Sequence, residues 1–360
     1  MALLPCIVAR VVVIGTLLLA RKVAARTHAP APIAARVHEG LLGWDAGWYE
    51  SIARLGYGGA GHQSLRFFPL VPLLARGLSE ASSLGVGTSL LVVANVSALV
   101  GVGALTLLVR RESGDAELAR LTAWIFCLAP AAYTYVMGYS EATLLVLTVG
   151  TFIALRSRRW WWAAVLGALA GLARPLGLML CLPALVEGLR GLSATSWAER
   201  FRRLLALAGP AVGTGAYLVY VAVRYGGLLT PFRIQVESRH RGLVADPLST
   251  LLHDASLLLH HQHLGIALHL PWVLLSIVLV VVAFRKLPAS YGAFAVGVLV
   301  VAVTAPNLDS FERYALSAFP LVVAGAALSR SSRVERLVLV SLAASMIGYA
   351  MLAFMNIAVP

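Results

Sequence analysis

Long apolar runs alternate with short basic loops along most of this chain. The runs predict helices near 4–20, 88–109, 121–137, 140–156, 160–173, 175–189, 204–223, 268–284, 289–305, 314–329 and 337–356. Apolar runs near bilayer length are read as helices because lipid offers no partner for free backbone N–H and C=O groups. The run 160–189 is too long for one crossing and carries Arg174-Pro175 in its middle. Proline removes a backbone donor and clashes with the preceding turn, so a tight helical hairpin is expected at Ala173-Arg174-Pro175-Leu176-Gly177. The expected fold is an all-α polytopic membrane protein with about eleven transmembrane helices, a single domain over residues 1–360.

Two long segments, 21–87 and 224–267, are too polar to span. Within the first, residues 44–58 predict a short amphipathic helix, with Trp44, Trp48, Ile52 and Leu55 on one face and Asp45 and Tyr49 on an adjacent stripe. Such a helix lies in the membrane interface with its aromatic rings at headgroup depth. Phe67-Phe68-Pro69-Leu70-Val71-Pro72 reads as the return to the membrane boundary.

Composition narrows the class. Hydrophobic residues make up 59% of the chain and charged residues 12%, half the charged share of a soluble domain. The net charge of +13 does not point to nucleic acid, because the cations cluster in loops between apolar runs. Fifteen of the twenty-nine, from Arg110 to Arg336, fall in loops on one side if the helices alternate. That side is expected to be cytoplasmic, which puts the N-terminus inside, both long segments outside and the protein in the plasma membrane. Arg21, Lys22 and Arg26 oppose this assignment from the outer side of the first helix. Arg21-Lys22 directly after the first apolar run also favours a retained helix over a cleaved signal. Cys6, Cys127 and Cys181 all lie in predicted helices and suggest neither disulfides nor zinc.

Candidate chemistry sits on the outer side. Asp45 lies between Trp44 and Trp48, where desolvation is expected to raise its pKa toward that of a useful base. Glu50 and Glu141 are the neighbouring acids of interest. Arg174 at the hairpin turn, Arg313 in Arg313-Tyr314 and Arg233 in the Thr230–Gln235 stretch are candidate phosphate ligands. The histidines at 253, 260, 261, 263 and 269 lack an acid or cysteine at ligand spacing, so no metal site is expected among them.

The block Trp44-Asp45-x-x-Trp48-Tyr49-x-x-Ile52-Ala53-x-x-Gly56-Tyr57, followed by Phe67-Phe68-Pro69-Leu70-x-Pro72, resembles the PIG-V family of membrane mannosyltransferases, of the GT-C class. Tyr139-Ser140-Glu141, Arg174-Pro175-x-Gly177 and the stretch from Arg313-Tyr314 to Phe319-Pro320 resemble later family segments in the same order. The resemblance implies an inverting GT-C enzyme that takes mannose from a polyprenyl-phosphate donor on the extracytoplasmic face, without a nucleotide sugar. It places the family's first-loop acid at Asp45. Many family members carry another acid between Gly-Tyr and Phe-Phe-Pro, whereas Gly58 to Arg66 has none here. Asp45 therefore carries the proposed chemistry almost alone.

The residues fit that chemistry. A lipid phosphate leaves without protonation, so one base for the acceptor hydroxyl suffices, unlike the paired carboxylates of glycoside hydrolysis. Asp45 is the expected base, and Arg174 and Arg313 would neutralise the leaving phosphate. Glu141 and Gln235 would bind sugar hydroxyls, and Trp44, Trp48, Tyr49, Glu50 and Tyr314 complete the expected substrate site. Partners would be the polyprenyl-phosphate sugar, membrane lipids, and a glycolipid, lipoglycan or protein acceptor, with no cofactor. A lipid or solute transporter or flippase is the alternative. The acids, however, lie in outer segments and at helix ends, and no repeated halves occur. The same enzyme class with arabinose or glucose from a similar lipid donor is a further alternative, since sugar identity rests on a few hydroxyl contacts.

Overall fold

The computed structural model describes residues 1–236, 246, 249–252, 256, 269–304, 308 and 310–359. The helices are α1 (Leu3–Arg26), α2 (Ala31–Glu39), α3 (Asp45–Ala60), α4 (Leu70–Ala81), α5 (Val86–Ser113), α6 (Ala116–Leu128), α7 (Glu141–Arg156) and α8 (Trp160–Ala173). They continue with α9 (Cys181–Leu189), α10 (Trp197–Tyr225), α11 (Thr230–Gln235), α12 (Leu270–Lys286), α13 (Ala289–Val303), α14 (Phe311–Ser317), α15 (Phe319–Leu328) and α16 (Ser332–Phe354). No strand occurs among the described residues.

Among the described residues, α1, α5, α10 and α16 are long and apolar enough to cross a membrane. The pair α14 and α15 is apolar enough to count as a fifth but bends by 83°. The expected eleven spans are thus not reproduced one for one, and proline accounts for much of the difference. The run 121–137 stops as a helix at Leu128, and Pro130 opens a 3-10 turn, Pro130–Tyr135. Pro175 likewise starts a 3-10 turn before α9, and Pro320 follows the break between α14 and α15. At 14 residues α8 reaches only about 21 Å, short of a hydrocarbon core of about 30 Å. The long helices still carry a lipid-type surface: Leu3, Ile7, Val11, Ile14 and Leu18 of α1 are all exposed. Such a continuous apolar surface needs a covering medium, and the chain is a multi-pass helical membrane protein.

The first long segment holds more helix than its sequence predicts, since α2 and α4 flank α3 there. The face assignment of α3 also changes. Ile52 is buried with Ala46, Tyr49, Ala53 and Tyr57, whereas Leu55 is exposed, so Ile52 does not share the face of the two tryptophans. Gly56 breaks the helix at φ +66°, a conformation that disfavours a side chain. The Tyr57 hydroxyl then donates to the Phe67 carbonyl at 2.7 Å, tying the end of α3 to the following loop.

Ion pairs define one end of the bundle. Arg156 at the end of α7 binds Glu112 of α5 at 2.9 Å and Glu187 of α9 at 3.2 Å. Arg120 of α6 binds Glu335 of α16 at 2.7 Å, and Arg330 pairs with Asp115. The other end of α7 is Glu141, 15 residues before Arg156 and so about 22 Å along the axis. The basic loops and the candidate site therefore occupy opposite ends.

Between them, α8 and α10 pack with their backbones almost touching and run parallel, since Gly209 meets Ala164 and Gly213 meets Ala168. A Cβ on Gly213 would lie 1.9 Å from the Ala168 carbonyl oxygen, and one on Gly171 2.3 Å from that of Pro210. Gly213→Ala is expected to force the pair apart at a cost of about 1–3 kcal/mol or more, read as a lower thermal midpoint of the purified protein. Gly215→Ala, with nothing within 4 Å of its Cβ, should leave that midpoint in place.

Candidate active site

The site is built where four chain segments meet. The backbone at Trp44 takes φ +58°, a costly conformation for a bulky residue. Two contacts hold it: the indole N–H donates to the Ala353 carbonyl at 3.0 Å, and the Arg36 guanidinium stacks 4.1 Å from the ring. This turn lets α3 begin at Asp45, whose backbone N–H donates to the Tyr139 hydroxyl at 3.3 Å. A carboxylate in the first turn also gains from the helix dipole. Gly138 seats the second segment, donating its N–H to the Leu41 carbonyl at 3.0 Å. Glu141 then opens α7 directly beneath Asp45's neighbourhood.

A chain of ion pairs joins the segments. Arg313 of α14 donates through Nη1 to Asp45 Oδ2 at 2.7 Å. Its Nε lies 3.3 Å from Glu141 Oε1. Arg174 pairs with the same Glu141 oxygen. The guanidinium of Arg313 lies 5.5 Å from the Tyr139 ring centre, and that of Arg174 lies 6.0 Å from the ring of Tyr314. Ser140 fixes the edge of this group, 2.6 Å from the Tyr49 hydroxyl and accepting from Arg174 at 3.5 Å.

A cavity of about 1400 Å³ opens in front of it. Asp45, Trp44, Trp48, Tyr49, Glu50, Arg174, Gln235, Arg313 and Tyr314 all line it, so residues from four distant stretches share one wall. Glu141 is the exception: its side chain is 0% exposed and stands behind the arginines, not on the cavity wall. The structure therefore does not place it against a sugar; it neutralises and orients Arg174 and Arg313. Arg233 is exposed and does not line the cavity, although Gln235 on the same short helix does. Glu50 faces the cavity with Arg54 3.6 Å away.

The expected direction of the Asp45 pKa is reversed. Burial does push the carboxyl upward, but Arg313, Arg66 and Arg174 outweigh it and hold the group below the ordinary carboxylate range. Asp45 is an ionised group at neutral pH, its charge shared with Arg313.

Arg66 was missed by the sequence reading. It lines the cavity with its guanidinium 4.6 Å from the Phe67 ring and 6.0 Å from Trp48. Its Nε has no hydrogen-bond partner, and it pairs with no carboxylate among the described residues. Its position immediately before Phe67-Phe68-Pro69 was the available signal. Arg66, Arg174 and Arg313 on the inner wall are thus set against Asp45 on the wall and Glu141 behind it, leaving one positive charge of this group uncompensated. Such a wall suits an anionic substrate.

Among the described residues no cluster of three or more His, Cys, Asp or Glu could hold a metal. His269 is buried against Glu312 at 2.8 Å, away from the cavity lining. The candidate residues His253, His260, His261 and His263 lie outside the described residues.

Likeness to known proteins covers part of the chain in sequence and most of it in fold. The family model described as mannosyltransferase (PIG-V) matches residues 15–186. GPI alpha-1,6-mannosyltransferase 2 of Mus musculus is 36% identical over 167 residues, 42% of this chain and 33% of that protein. The Rattus norvegicus protein of the same name is 36% identical over 156 residues, 39% of this chain and 30% of its own length. The chain spans about a third of the length of these relatives. Among solved structures, ArnT from Cupriavidus metallidurans in the apo state aligns with a TM-score of 0.50 at 17% identity. That alignment covers 86% of this chain and 71% of ArnT. Residues 15–186, which carry Asp45, Arg66, Glu141 and Arg174, are thus similar to the PIG-V mannosyltransferase family model, and the fold resembles that of ArnT.

Proposed function

We propose that this protein is an integral-membrane mannosyltransferase. It transfers mannose from a polyprenyl-phosphate donor to a hydroxyl of a glycolipid, lipoglycan or protein on the extracytoplasmic face, with inversion. The observation that carries this reading is Asp45: an ionised carboxylate on the wall of a large cavity, set among guanidinium groups that outnumber the acids. The likeness to the family model over residues 15–186 supports the sugar. The gathering of charged groups at one end of the bundle, instead of along a path through its middle, supports an enzyme over a transporter.

In this mechanism the acceptor oxygen attacks the anomeric carbon as the bond from that carbon to the phosphate oxygen breaks. Asp45 takes the acceptor proton, and the lipid phosphate leaves with the bonding electrons. Arg66, with no carboxylate of its own among the described residues, is the first ligand of that phosphate, and Arg174 and Arg313 add charge from behind. A phosphate beside Arg313 divides its charge between two anions. The hold on Asp45 then weakens, and its proton affinity rises as the acceptor needs it. Gln235 and the rings of Trp44, Trp48 and Tyr314 line the same cavity and would contact the sugar.

Asp45→Asn should lower transfer by about 10²–10⁴-fold, the usual worth of a general base, while the protein still inserts and purifies. The assay is mass spectrometry of product formed from polyprenyl-phosphate mannose and a membrane lipid extract. Transfer at the wild-type rate would refute the mechanism.

The pH profile supplies a second check. Because Asp45 titrates below the ordinary carboxylate range, its basic form persists as pH falls. The acid limb of kcat/KM is expected below pH ~4, and a limb centred near neutrality would assign the base to another group.

Arg66→Gln should raise the donor KM roughly tenfold or more, the worth of a charge-assisted hydrogen bond, with a smaller change in acceptor KM. An unchanged donor KM would remove Arg66 from the phosphate site.

A further inference from the structure

At the end of the bundle opposite the active site, the arginines fall into two groups. Arg120, Arg156 and Arg330 are tied to acids of neighbouring helices. Arg158, Arg159 and Arg202 make no ion pair among the described residues, and all three are exposed. These three line one cavity of about 310 Å³ together with Trp160, Trp161 and Trp162.

The cavity follows from the parallel packing of α8 and α10. Their register sets the start of α8 about two turns along α10 from its first residue, so the N-terminus of α8 opens beside Arg202. Cations there are opposed by the dipole of α8, whereas an anion bound among them is favoured. Arg158 is held at φ +54°, so the chain bends just ahead of α8. Glu199 in the first turn of α10 is already engaged, accepting from the Trp160 indole N–H at 2.6 Å and from Arg203 at 3.3 Å. No carboxylate lines the cavity.

Its surroundings are apolar and uncovered. Trp161 is 57% exposed, Trp162 61%, Phe201 57% and Leu204 58%. A soluble anion gains nothing from such a rim. A lipid gains twice, because its phosphate meets the guanidinium groups while its chains lie along the tryptophans and the exposed side of α10. Tryptophan at the edge of an apolar span, next to unpaired basic residues, is the arrangement expected at headgroup depth.

We propose that this cavity binds the phosphate headgroup of an anionic membrane phospholipid, at a site separate from the active-site cavity. The test is native mass spectrometry of the full chain in detergent with equal amounts of phosphatidylglycerol and phosphatidylcholine. Retention of phosphatidylglycerol over phosphatidylcholine is expected. It should fall roughly tenfold or more in Arg158→Gln/Arg159→Gln/Arg202→Gln, in line with the worth of cations at an anionic surface. Arg158→Lys/Arg159→Lys/Arg202→Lys should retain much of it. Arg285→Gln/Lys286→Gln/Arg333→Gln removes the same charge elsewhere and should leave it unchanged. If the glutamine triple variant does not give monodisperse protein, Arg202→Gln alone should show a smaller loss of the same sign. Equal retention by the two glutamine triple variants, displacement of the lipid by millimolar inorganic phosphate, or no preference in the wild type would each overturn the proposal. None of these readouts depends on sugar transfer, so the outcome is independent of the activity assigned above.

Discussion

Everything at the active end depends on keeping two nearly buried guanidinium groups charged. Arg174 and Arg313 are 13% and 11% exposed, and an unpaired charge at such depth is severely penalised. Glu141 meets both, and Asp45 meets one. The chain Asp45–Arg313–Glu141–Arg174 is therefore a structural requirement before it is a catalytic one. It pins the starts of α3 and α7, the turn after α8 and the start of α14 to one another. A cavity wall assembled from segments more than two hundred residues apart keeps its shape because separating any of them strands a charge.

That interdependence explains which parts of the site were legible in the sequence. Trp44-Asp45, Arg174-Pro175 and Arg313-Tyr314 each interrupt or border an apolar run, so each stood out locally. The tasks of Glu141 and Arg66 were not local. Glu141 at the start of α7 looks like any acid at a helix N-terminus; its role follows from two arginines that are 33 and 172 residues later in the chain. Arg66 matters because the acids nearby are already taken by other cations. The direction of the Asp45 pKa failed for the same reason: neighbouring tryptophans argue for desolvation, while the opposing cations come from Arg66, Arg174 and Arg313.

The fold was legible as an all-helical membrane architecture, since apolar run length is a strong signal. Its segmentation was less so. Proline marks where a helix stops but not whether the chain continues in line, turns through a 3-10 segment or bends by 83° as between α14 and α15. Amphipathic order was hardest to read in α3, where a side chain at helical spacing from Trp48 turned inward because Tyr49 and Tyr57 already defined the buried face.

The parallel pairing of α8 and α10 has a consequence for how the protein is made. Parallel neighbours require a return segment between them, here the stretch from Pro175 through α9. During synthesis α8 and α9 emerge before the partner that fills the groove beside Gly167 and Gly171. Until α10 has left the ribosome, the turn at Gly177 covers only part of that backbone, and the places of Pro210 and Thr214 are empty. Lateral assembly within the bilayer is thus ordered: the α8–α9 hairpin waits for α10. A helix entering late must find a slot only glycine-deep, which leaves little room for a foreign helix to occupy it first.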